Sequence, residues 1–267
     1  YTPEMAHIPR LFVDQSLAAG VACRLPDGQA KYLTRVMRLE AGAHVRVFNG
    51  RDGEWDCALD IAGREVSIVP TVQTRPQESG PALTLLFAPL KKTRTDFVIE
   101  KASELGVSVI QPVITDYTQA QRVRSGRLRA VAIEAAEQTE RMDVPQICDA
   151  LPLGKALAGW APDKQLIYCD EASDARPLTT ALREQADPVA GLLIGPEGGF
   201  SLKERNLLRA QAHITPVTLG PRILRAETAV VAALALWQSE LGDWRERPYV
   251  PATDILPGRA GHDDADH

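Results

Sequence analysis

The hydrophobic positions in the first third of the chain fall into short runs that are typical of β-strands. Between residues 10 and 72 these runs include Val45–Phe48 and Val66–Val69, and turn signals such as Asn49-Gly50 separate them. An Asn-Gly pair between apolar runs is a strong hairpin signal. One helical segment is predicted from about Gln29 to Leu39. The pattern therefore predicts a small β-barrel with one helix.

From Leu83 onward the pattern changes to apolar strands that alternate with helices. This alternation is typical of a mostly parallel sheet with helices on both faces, so the fold class is α/β. The predicted strands are Leu83–Ala88, Val109–Val113, Leu166–Cys169, Leu192–Ile194 and Val217–Leu219. The predicted helices cover about Arg94–Leu105, Arg127–Glu140, Leu153–Ala158, Leu178–Gln185, Leu202–Ala212 and Glu227–Leu241.

Composition suggests where the domains begin and end. Residues 75–81 gather proline, glycine and polar residues without apolar periodicity, so they predict a linker between a domain of residues 1–74 and one of residues 82–245. Residues 246–267 contain proline, glycine and an Asp/His-rich end. They predict a tail that is disordered or loosely draped.

Two loops at predicted strand ends carry the main functional signal. Leu192–Ser201 reads LLIGPEGGFS, and Leu219–Ala229 reads LGPRILRAETA. Each leaves its strand through Gly-Pro, and Gly198-Gly199 lets the main chain approach a ligand with no Cβ in the way. Ser201 and Glu204 form a predicted capping box at the start of the next helix. Because loops at the carboxyl ends of adjoining strands form the ligand crevice of open α/β sheets, the pair predicts a binding site.

Charge and composition narrow the class of protein. A net charge of −5 argues against binding nucleic acid through bulk positive charge, although the cluster of basic residues from Arg24 to Arg51 can hold an anionic partner locally. No run reaches the roughly 18 apolar residues of a membrane span and no apolar leader is seen, so we expect a cytoplasmic protein. The four cysteines are scattered without zinc-ligand spacing, so they predict reduced thiols and no metal.

Several common catalytic patterns are missing. No histidine neighbours a serine or cysteine in a nucleophile-elbow context, which disfavours nucleophilic hydrolysis. Pro196 and Glu197 stand where a pyrophosphate would approach in a G-x-G-x-x-G loop, and there is no P-loop motif. The residues alone therefore indicate a pocket that offers backbone amides and carbonyls to a small polar ligand, with an adenine-bearing compound favoured.

The paired loops resemble the S-adenosylmethionine site of SPOUT methyltransferases, and specifically of the RsmE family. The resemblance covers about residues 8 to 241. Besides the two loops, the matching positions are Lys91, Arg94, Asp96 and the segments 10–13, 33–39, 100–107 and 134–141. That family methylates N3 of a uridine in the decoding region of the 16S RNA of the small ribosomal subunit. The resemblance implies the same activity and substrate here.

The resemblance also implies a fold and a cofactor site. The C-terminal domain would be a SPOUT domain tied as a trefoil knot, and the N-terminal domain a PUA-like RNA-binding barrel. The cofactor would be S-adenosyl-L-methionine, bound in the knot without a metal. The residues expected to bind it are Leu193, Ile194, Gly195, Pro196, Glu197, Gly198, Gly199, Leu219, Gly220, Pro221, Ile223, Leu224, Thr228 and Ala229.

Catalytic and RNA-binding residues follow from the same resemblance. We expect Arg225 to hold the uracil or a phosphate and to stabilise developing negative charge, and Glu227 to cap the helix or orient Arg225, with a carboxylate as direct base less favoured. RNA contacts are expected from Arg10, Lys31, Arg35, Arg38, Lys91, Arg94 and Arg141. The knotted helices would form a homodimer through the Ala/Leu/Trp face of residues 229–237, unless that face is simply core.

Two other functions stay open at this stage. Ribose 2′-O methylation is the activity of other knotted enzymes of the same superfamily. A non-catalytic RNA-binding or assembly factor would use the barrel and keep a vestigial pocket. A Rossmann-type dehydrogenase is disfavoured because its glycine fingerprint is missing.

Overall fold

Two separate sheets organise the residues described in this computed structural model, which are 8–119, 123–170, 175–184 and 189–246. The first sheet has five strands in the order β1-β3-β4-β5-β2, and all neighbours are antiparallel except β1 and β3. Its strands are β1 Arg10–Phe12, β2 Cys23–Arg24, β3 His44–Phe48, β4 Glu54–Ala62 and β5 Glu65–Arg75. The expected tail, apart from Glu246, and the expected helix end at Gln185 lie outside the described residues.

The predicted helix of the first domain is present but differs in type and bounds. A short helix α1, Asp27–Lys31, continues as one π-helical turn, Tyr32–Val36. It ends earlier than expected because Arg38 adopts a left-handed φ of 55°, and the amide of Leu39 then donates to the carbonyl of Leu33. This geometry closes a helix C-terminus, usually with glycine in the left-handed position.

The second sheet has the order β11-β13-β10-β12-β6-β7-β8, with β9 also pairing β7, and its pairs are parallel. Its strands are β6 Thr84–Phe87, β7 Val109–Ile114, β8 Gln146–Ile147, β9 Leu151–Pro152, β10 Gln165–Cys169, β11 Arg176–Pro177, β12 Val189–Ile194 and β13 Ile214–Thr218. The helices are α2 Lys92–Glu104, α3 Ser125–Gln138, α4 Leu153–Ala158, α5 Leu178–Glu184, α6 Leu202–Arg209 and α7 Ala226–Glu240. All five strands and six helices predicted for this domain are confirmed, with ends shifted by a few residues.

Helices cover both faces of the parallel sheet. Buried apolar residues of α2, α3, α5 and α7 pack on one face, and those of α4 and α6 pack on the other. The Ala/Leu/Trp face of α7 belongs to the first layer, where Ala233, Leu234 and Trp237 are buried and the Trp237 indole donates to the carbonyl of Val189 at 2.9 Å. The chain's own core therefore covers these three residues, whereas Ala232, Ala235 and Leu236 are half-buried, and a subunit contact through residues 229–237 stays a prediction.

A buried ionic joint connects the two domains. The Arg10 side chain is only 3% exposed, and its Nε donates to Glu54 at 2.6 Å. Its other nitrogens donate to the carbonyls of Ala136 and Arg141 in the second domain, at 2.8 and 2.7 Å. Arg46 adds a two-pronged pair with Glu140. This joint orients the barrel on the α/β domain.

The joint also corrects two expected RNA contacts. Arg10 is buried against the Phe48 ring and committed to Glu54. Arg141 pairs with Asp143 and donates to the carbonyl of Ser103, and its side chain is 10% exposed. Since neither guanidinium faces solvent, the expectation that they hold phosphates is wrong, and both serve the packing of the domains.

Candidate active site

Three neighbouring strands bring the two signature loops together. β10 lies between β12 and β13, all three run parallel, and their carboxyl ends therefore meet at one edge of the sheet. The loops that follow β12 and β13 enclose a cavity of about 470 Å³ with the end of β10. This volume lies within the usual range of small-molecule sites.

Most of the expected cofactor residues line this cavity. Those that do are Ile194, Gly195, Pro196, Gly199, Leu219, Gly220, Pro221, Ile223, Leu224 and Ala229. Leu193 does not, because alternation along β12 turns it into the opposite apolar layer. Glu197 and Gly198 face away, against Arg94 and Tyr117, and Thr228 is exposed. The glycine loop thus has two faces: one face lines the cavity, and the other contacts Arg94 and Tyr117.

The glycine loop is fixed by hydrogen bonds to its surroundings. The predicted capping box is confirmed, since Ser201 Oγ accepts from the amide of Glu204 and the Glu204 carboxylate accepts from the amide of Ser201. The other Glu204 oxygen accepts from the amide of Asp116 at 2.8 Å, and Ser201 Oγ donates to the Asp116 carboxylate at 2.6 Å. Gly199 has a φ of 67°, which favours glycine. The loop therefore approaches the cavity in one defined shape.

Several lining residues were missed by sequence reasoning. They include Cys169, Asp170, Phe200, Arg205 and Arg222. Asp170 follows β10 directly, and a polar residue after a buried strand is the signal that identifies it. Burial raises the pKa of the Cys169 thiol to about 12, so this thiol is neutral and is not a nucleophile.

The two expected catalytic residues flank the cavity and do not line it. Arg225 is the exposed N-cap residue of α7, between the lining residues Leu224 and Ala226. The Glu227 carboxylate lies 4.0 Å from the Nε of Arg94, whose Nη1 donates to Glu197. Among the described residues, the Glu227 Oε2 atom is buried and has no hydrogen-bond partner.

A basic groove lies on the other side of the glycine loop. It is a cavity of about 410 Å³ whose charged residues are Lys91, Lys92, Arg124 and Arg127. Lys91 also lines a small cleft against Pro196 and Glu197, which connects the basic groove to the loop. Arg127 is paired with Asp96, whereas both lysines are exposed.

The first domain presents a second set of cations. Lys31, Arg35 and Arg38 are exposed on α1, on the π-helical turn and just after it. The part of the chain that the structure describes holds no ion-pair partner for these three side chains. They are therefore free to meet an external anion.

No helix within the described ranges is long and apolar enough to cross a membrane. The same residues hold no group of three or more His, Cys, Asp or Glu side chains arranged to bind a metal ion.

Family models match both domains. An RNA methyltransferase domain matches residues 77–238, and an RNA methyltransferase PUA domain matches residues 25–70. Fold and site together therefore define an RNA methyltransferase with a PUA domain, which confirms the expected fold class.

Individual relatives specify the family further. The Ribosomal RNA small subunit methyltransferase E of Rickettsia conorii is 31% identical over 85% of this chain and 93% of its own length, and that of Synechocystis is 32% identical over 85% and 76%. This chain belongs to the ribosomal RNA small subunit methyltransferase E family.

Solved structures agree with that membership. A methyltransferase of Legionella pneumophila, solved with its bound cofactor SAM, matches with a TM-score of 0.79 and 26% identity over 88% of this chain and 99% of that one. A Ribosomal RNA small subunit methyltransferase E of Neisseria gonorrhoeae, bound to S-adenosyl methionine, matches at 0.77 with 27% identity over 89% and 100%.

Proposed function

We propose that this chain transfers the methyl group of S-adenosylmethionine to N3 of a uridine in the 16S RNA of the small ribosomal subunit. The observation that carries the proposal is the cavity between the two Gly-Pro loops, together with a family whose solved members hold this cofactor. A ribosomal RNA substrate would place this protein in the cytoplasm.

The cavity fits the cofactor by its chemistry. Gly195, Gly199 and Gly220 bring bare backbone to the wall, where backbone carbonyls can accept from the edge of an adenine. The amides of Gly199 and Gly220 already donate to Pro196 O and to Thr218 Oγ1. Ile194 and Leu224 supply apolar surface for a flat ring. The expected cofactor residues that line the cavity are proposed as its ligands, and Leu193 and Thr228 are not.

Bound S-adenosylmethionine supplies an electrophilic methyl group on a sulfonium. The protein's task is to hold the uracil in line with it, and well-oriented reactions gain up to about 7–11 kcal/mol in this way. Arg225 is exposed next to the cavity, where its guanidinium can hold the uracil or a neighbouring phosphate. The positive end of the α7 dipole lies at the same place and favours negative charge that develops on the base.

The contacts of Glu227 support a role different from the expected one. Its near partner is Arg94 rather than Arg225, and one of its carboxylate oxygens has no partner in the described part of the chain. We expect Glu227 to hold Arg94 in place beside Glu197. Because this oxygen is buried and Glu227 does not line the cavity, a carboxylate as the direct base stays the less favoured option.

RNA would be held from both domains. The basic groove adds Lys92, Arg124 and Arg127 to the expected contacts of Lys91 and Arg94. The exposed cations Lys31, Arg35 and Arg38 would bind phosphates from the barrel side. Local patches of this kind suffice for phosphate contacts in an acidic chain.

A homodimer is part of the proposal. Ile223 lines the cavity yet is 79% exposed, and Leu202 at the start of α6 is 76% exposed. A second subunit that covers them would complete the site. Light scattering at increasing concentration should give twice the chain mass, and a monomer at micromolar concentration would contradict this part.

The test is methyl transfer to small ribosomal subunits that lack the modification. Mass spectrometry of the digested RNA should show N3-methyluridine, whereas 2′-O-methyluridine would support the ribose alternative. No methylated nucleoside, with intact cofactor binding, would support a non-catalytic RNA-binding factor. Arg225→Ala should lower kcat/KM by about 100-fold or more, the cost of losing a group that stabilises transition-state charge, with cofactor affinity retained.

A further inference from the structure

A charged cluster at one end of the cavity has no role in the function proposed so far. Asp170 and Arg205 both line the cavity, and the Asp170 side chain is only 1% exposed. Asp170 Oδ1 lies 3.5 Å from Arg205 Nε, and Asp170 Oδ2 lies 3.2 Å from Arg209 Nη2. The Tyr168 hydroxyl donates to the same carboxylate at 3.3 Å. The cluster therefore joins one carboxylate to two guanidinium groups.

Arg205 is directed at the cavity by its neighbours. It lies in the first turn of α6, and its amide donates to the carbonyl of Ser201, the residue that caps the helix. Its Nη2 lies 3.6 Å from the point that a Cβ on Gly199 would occupy. Its Nε is buried and has no hydrogen-bond partner among the described residues. The Arg205 guanidinium is thus held beside the cavity and still has a hydrogen-bond donor without a partner among the described residues.

The charge balance indicates what this end of the cavity binds. Among the described residues, the lining side chains that are charged at neutral pH are Asp170, Arg205 and Arg222, and Arg209 pairs with Asp170 from outside the cavity. The charge of these described side chains is positive on balance. S-adenosylmethionine carries a sulfonium, an ammonium and one α-carboxylate, and only the carboxylate is attracted to such a site.

We propose that Arg205 binds the α-carboxylate of the cofactor and that Asp170 acts as the positioning residue for Arg205. This inference rests on the proposed function, since it assigns one end of the same site. It also gives a reason for the buried carboxylate, because the charge of Asp170, 3.5 Å from Arg205 Nε, attracts the guanidinium without using its hydrogen-bond donors.

The test combines a protein variant with a truncated ligand. Calorimetry would measure the affinity of S-adenosylhomocysteine and of its decarboxylated analogue for the wild type and for Arg205→Gln. We expect Arg205→Gln to weaken S-adenosylhomocysteine binding by about 10- to 100-fold, the range for one charge-assisted hydrogen bond. The decarboxylated analogue should bind both proteins equally, which also shows that the variant is folded.

Two further variants separate the contact from general disruption. Lys203→Gln removes an exposed charge from the same helix α6, but Lys203 does not line the cavity, so this control should keep both affinities. Asp170→Asn should weaken S-adenosylhomocysteine selectively, because Arg205 loses the charge that positions it. Arg209 also loses a partner, but it does not line the cavity. Equal losses for the two ligands in Arg205→Gln, or no loss, would overturn the inference. If neither ligand binds the wild type, the proposed function itself fails.

Discussion

At the scale of single residues, Arg38 occupies a backbone conformation that an arginine does not favour. Its φ of 55° closes the helical segment of the barrel, a position where glycine is the usual residue. A left-handed conformation costs an L-residue about 1–2 kcal/mol. Such strain is found at functional sites more often than elsewhere. The exposed guanidinium of Arg38 is therefore a good candidate for a contact with RNA.

This view predicts opposite effects of one substitution on stability and on binding. Arg38→Gly should raise the free energy of unfolding by up to about 1 kcal/mol, since relief of strain outweighs the added freedom of the unfolded chain. The same change should weaken RNA binding. Arg38→Ala is the matched control, because it loses the charge but keeps the strain. Urea titration and filter binding measure both, and equal stabilities of the two variants would contradict the argument.

A second residue-scale prediction concerns pH. Burial raises the pKa of Glu137, and the nearby Glu134 carboxylate raises it further. The hydrogen bond from the Phe12 amide and the charge of Arg10 lower this pKa but do not cancel the rise. With the folded pKa above the ordinary one, the charged form is disfavoured in the folded state. Wild-type stability therefore falls as pH rises from about 4.5, the ordinary value, through the raised pKa.

Glu137→Gln tests this sign. A glutamine keeps the acceptor for Phe12 and removes the charge, so the variant should be more stable than wild type at pH 7. The gain should shrink to nothing below the ordinary pKa of a glutamate. Glu134→Gln, on the exposed side of α3, serves as control and should show a smaller effect. Thermal unfolding from pH 4 to pH 8, a range set by the ordinary value of 4.5, measures the difference. A stability gain of Glu137→Gln that grows toward low pH would contradict the predicted sign.

At the scale of elements, the long strands and helices could be predicted because their apolar periods are strong. The two-residue strands β8, β9 and β11 could not, because so short a segment has no period. The π-helical turn was also missed, since its sequence reads as an ordinary helix. For the site, the Gly-Pro loops were readable from their residues. Arg205 was not, because only the fold brings α6 to the same cavity, and Asp170 was overlooked although its place directly after β10 is a readable signal.

The N-terminus of α6 offers a prediction about one element. Ser201 caps this helix and also bonds to Asp116, so it connects the glycine loop to two other segments. Ser201→Ala should lower the free energy of unfolding by about 0.5–2 kcal/mol, the usual cost of losing a cap. It should also weaken S-adenosylhomocysteine binding, because the loop loses its anchor. Ser239→Ala, on an exposed site of α7, should change neither quantity in denaturation and calorimetry.

At the scale of the whole molecule, we expect the buried contacts of the domain joint to couple the stability of the barrel to that of the α/β domain. Arg10→Met would leave Glu54, which is fully buried, without its main partner. Losing one member of a buried pair costs about 3–5 kcal/mol. Arg24→Met removes an exposed pair with Glu65 and should cost less than about 1 kcal/mol. Equal costs for the two variants in urea denaturation would contradict this role.

Because of the joint, we expect basic residues that are far apart in the sequence to contact one RNA. Buried contacts of Arg10, Arg46 and Glu140 hold the barrel in a fixed orientation. The exposed cations of the barrel helix and those of the basic groove then belong to one rigid surface. A rigid surface allows phosphate contacts from both domains to add, since neither has to be ordered separately.

Salt dependence of RNA binding measures this addition. Each phosphate contact on single-stranded RNA contributes about 0.7 to the slope of log K against log salt. Lys31→Gln with Arg35→Gln should therefore reduce the slope by about 1.4, Lys91→Gln with Lys92→Gln by the same amount, and all four by about 2.8. Lys155→Gln removes an exposed charge on α4 and should leave the slope unchanged. None of these variants should change the affinity for S-adenosylhomocysteine. If the quadruple variant lost no more slope than one pair, the two patches would not bind the same RNA together.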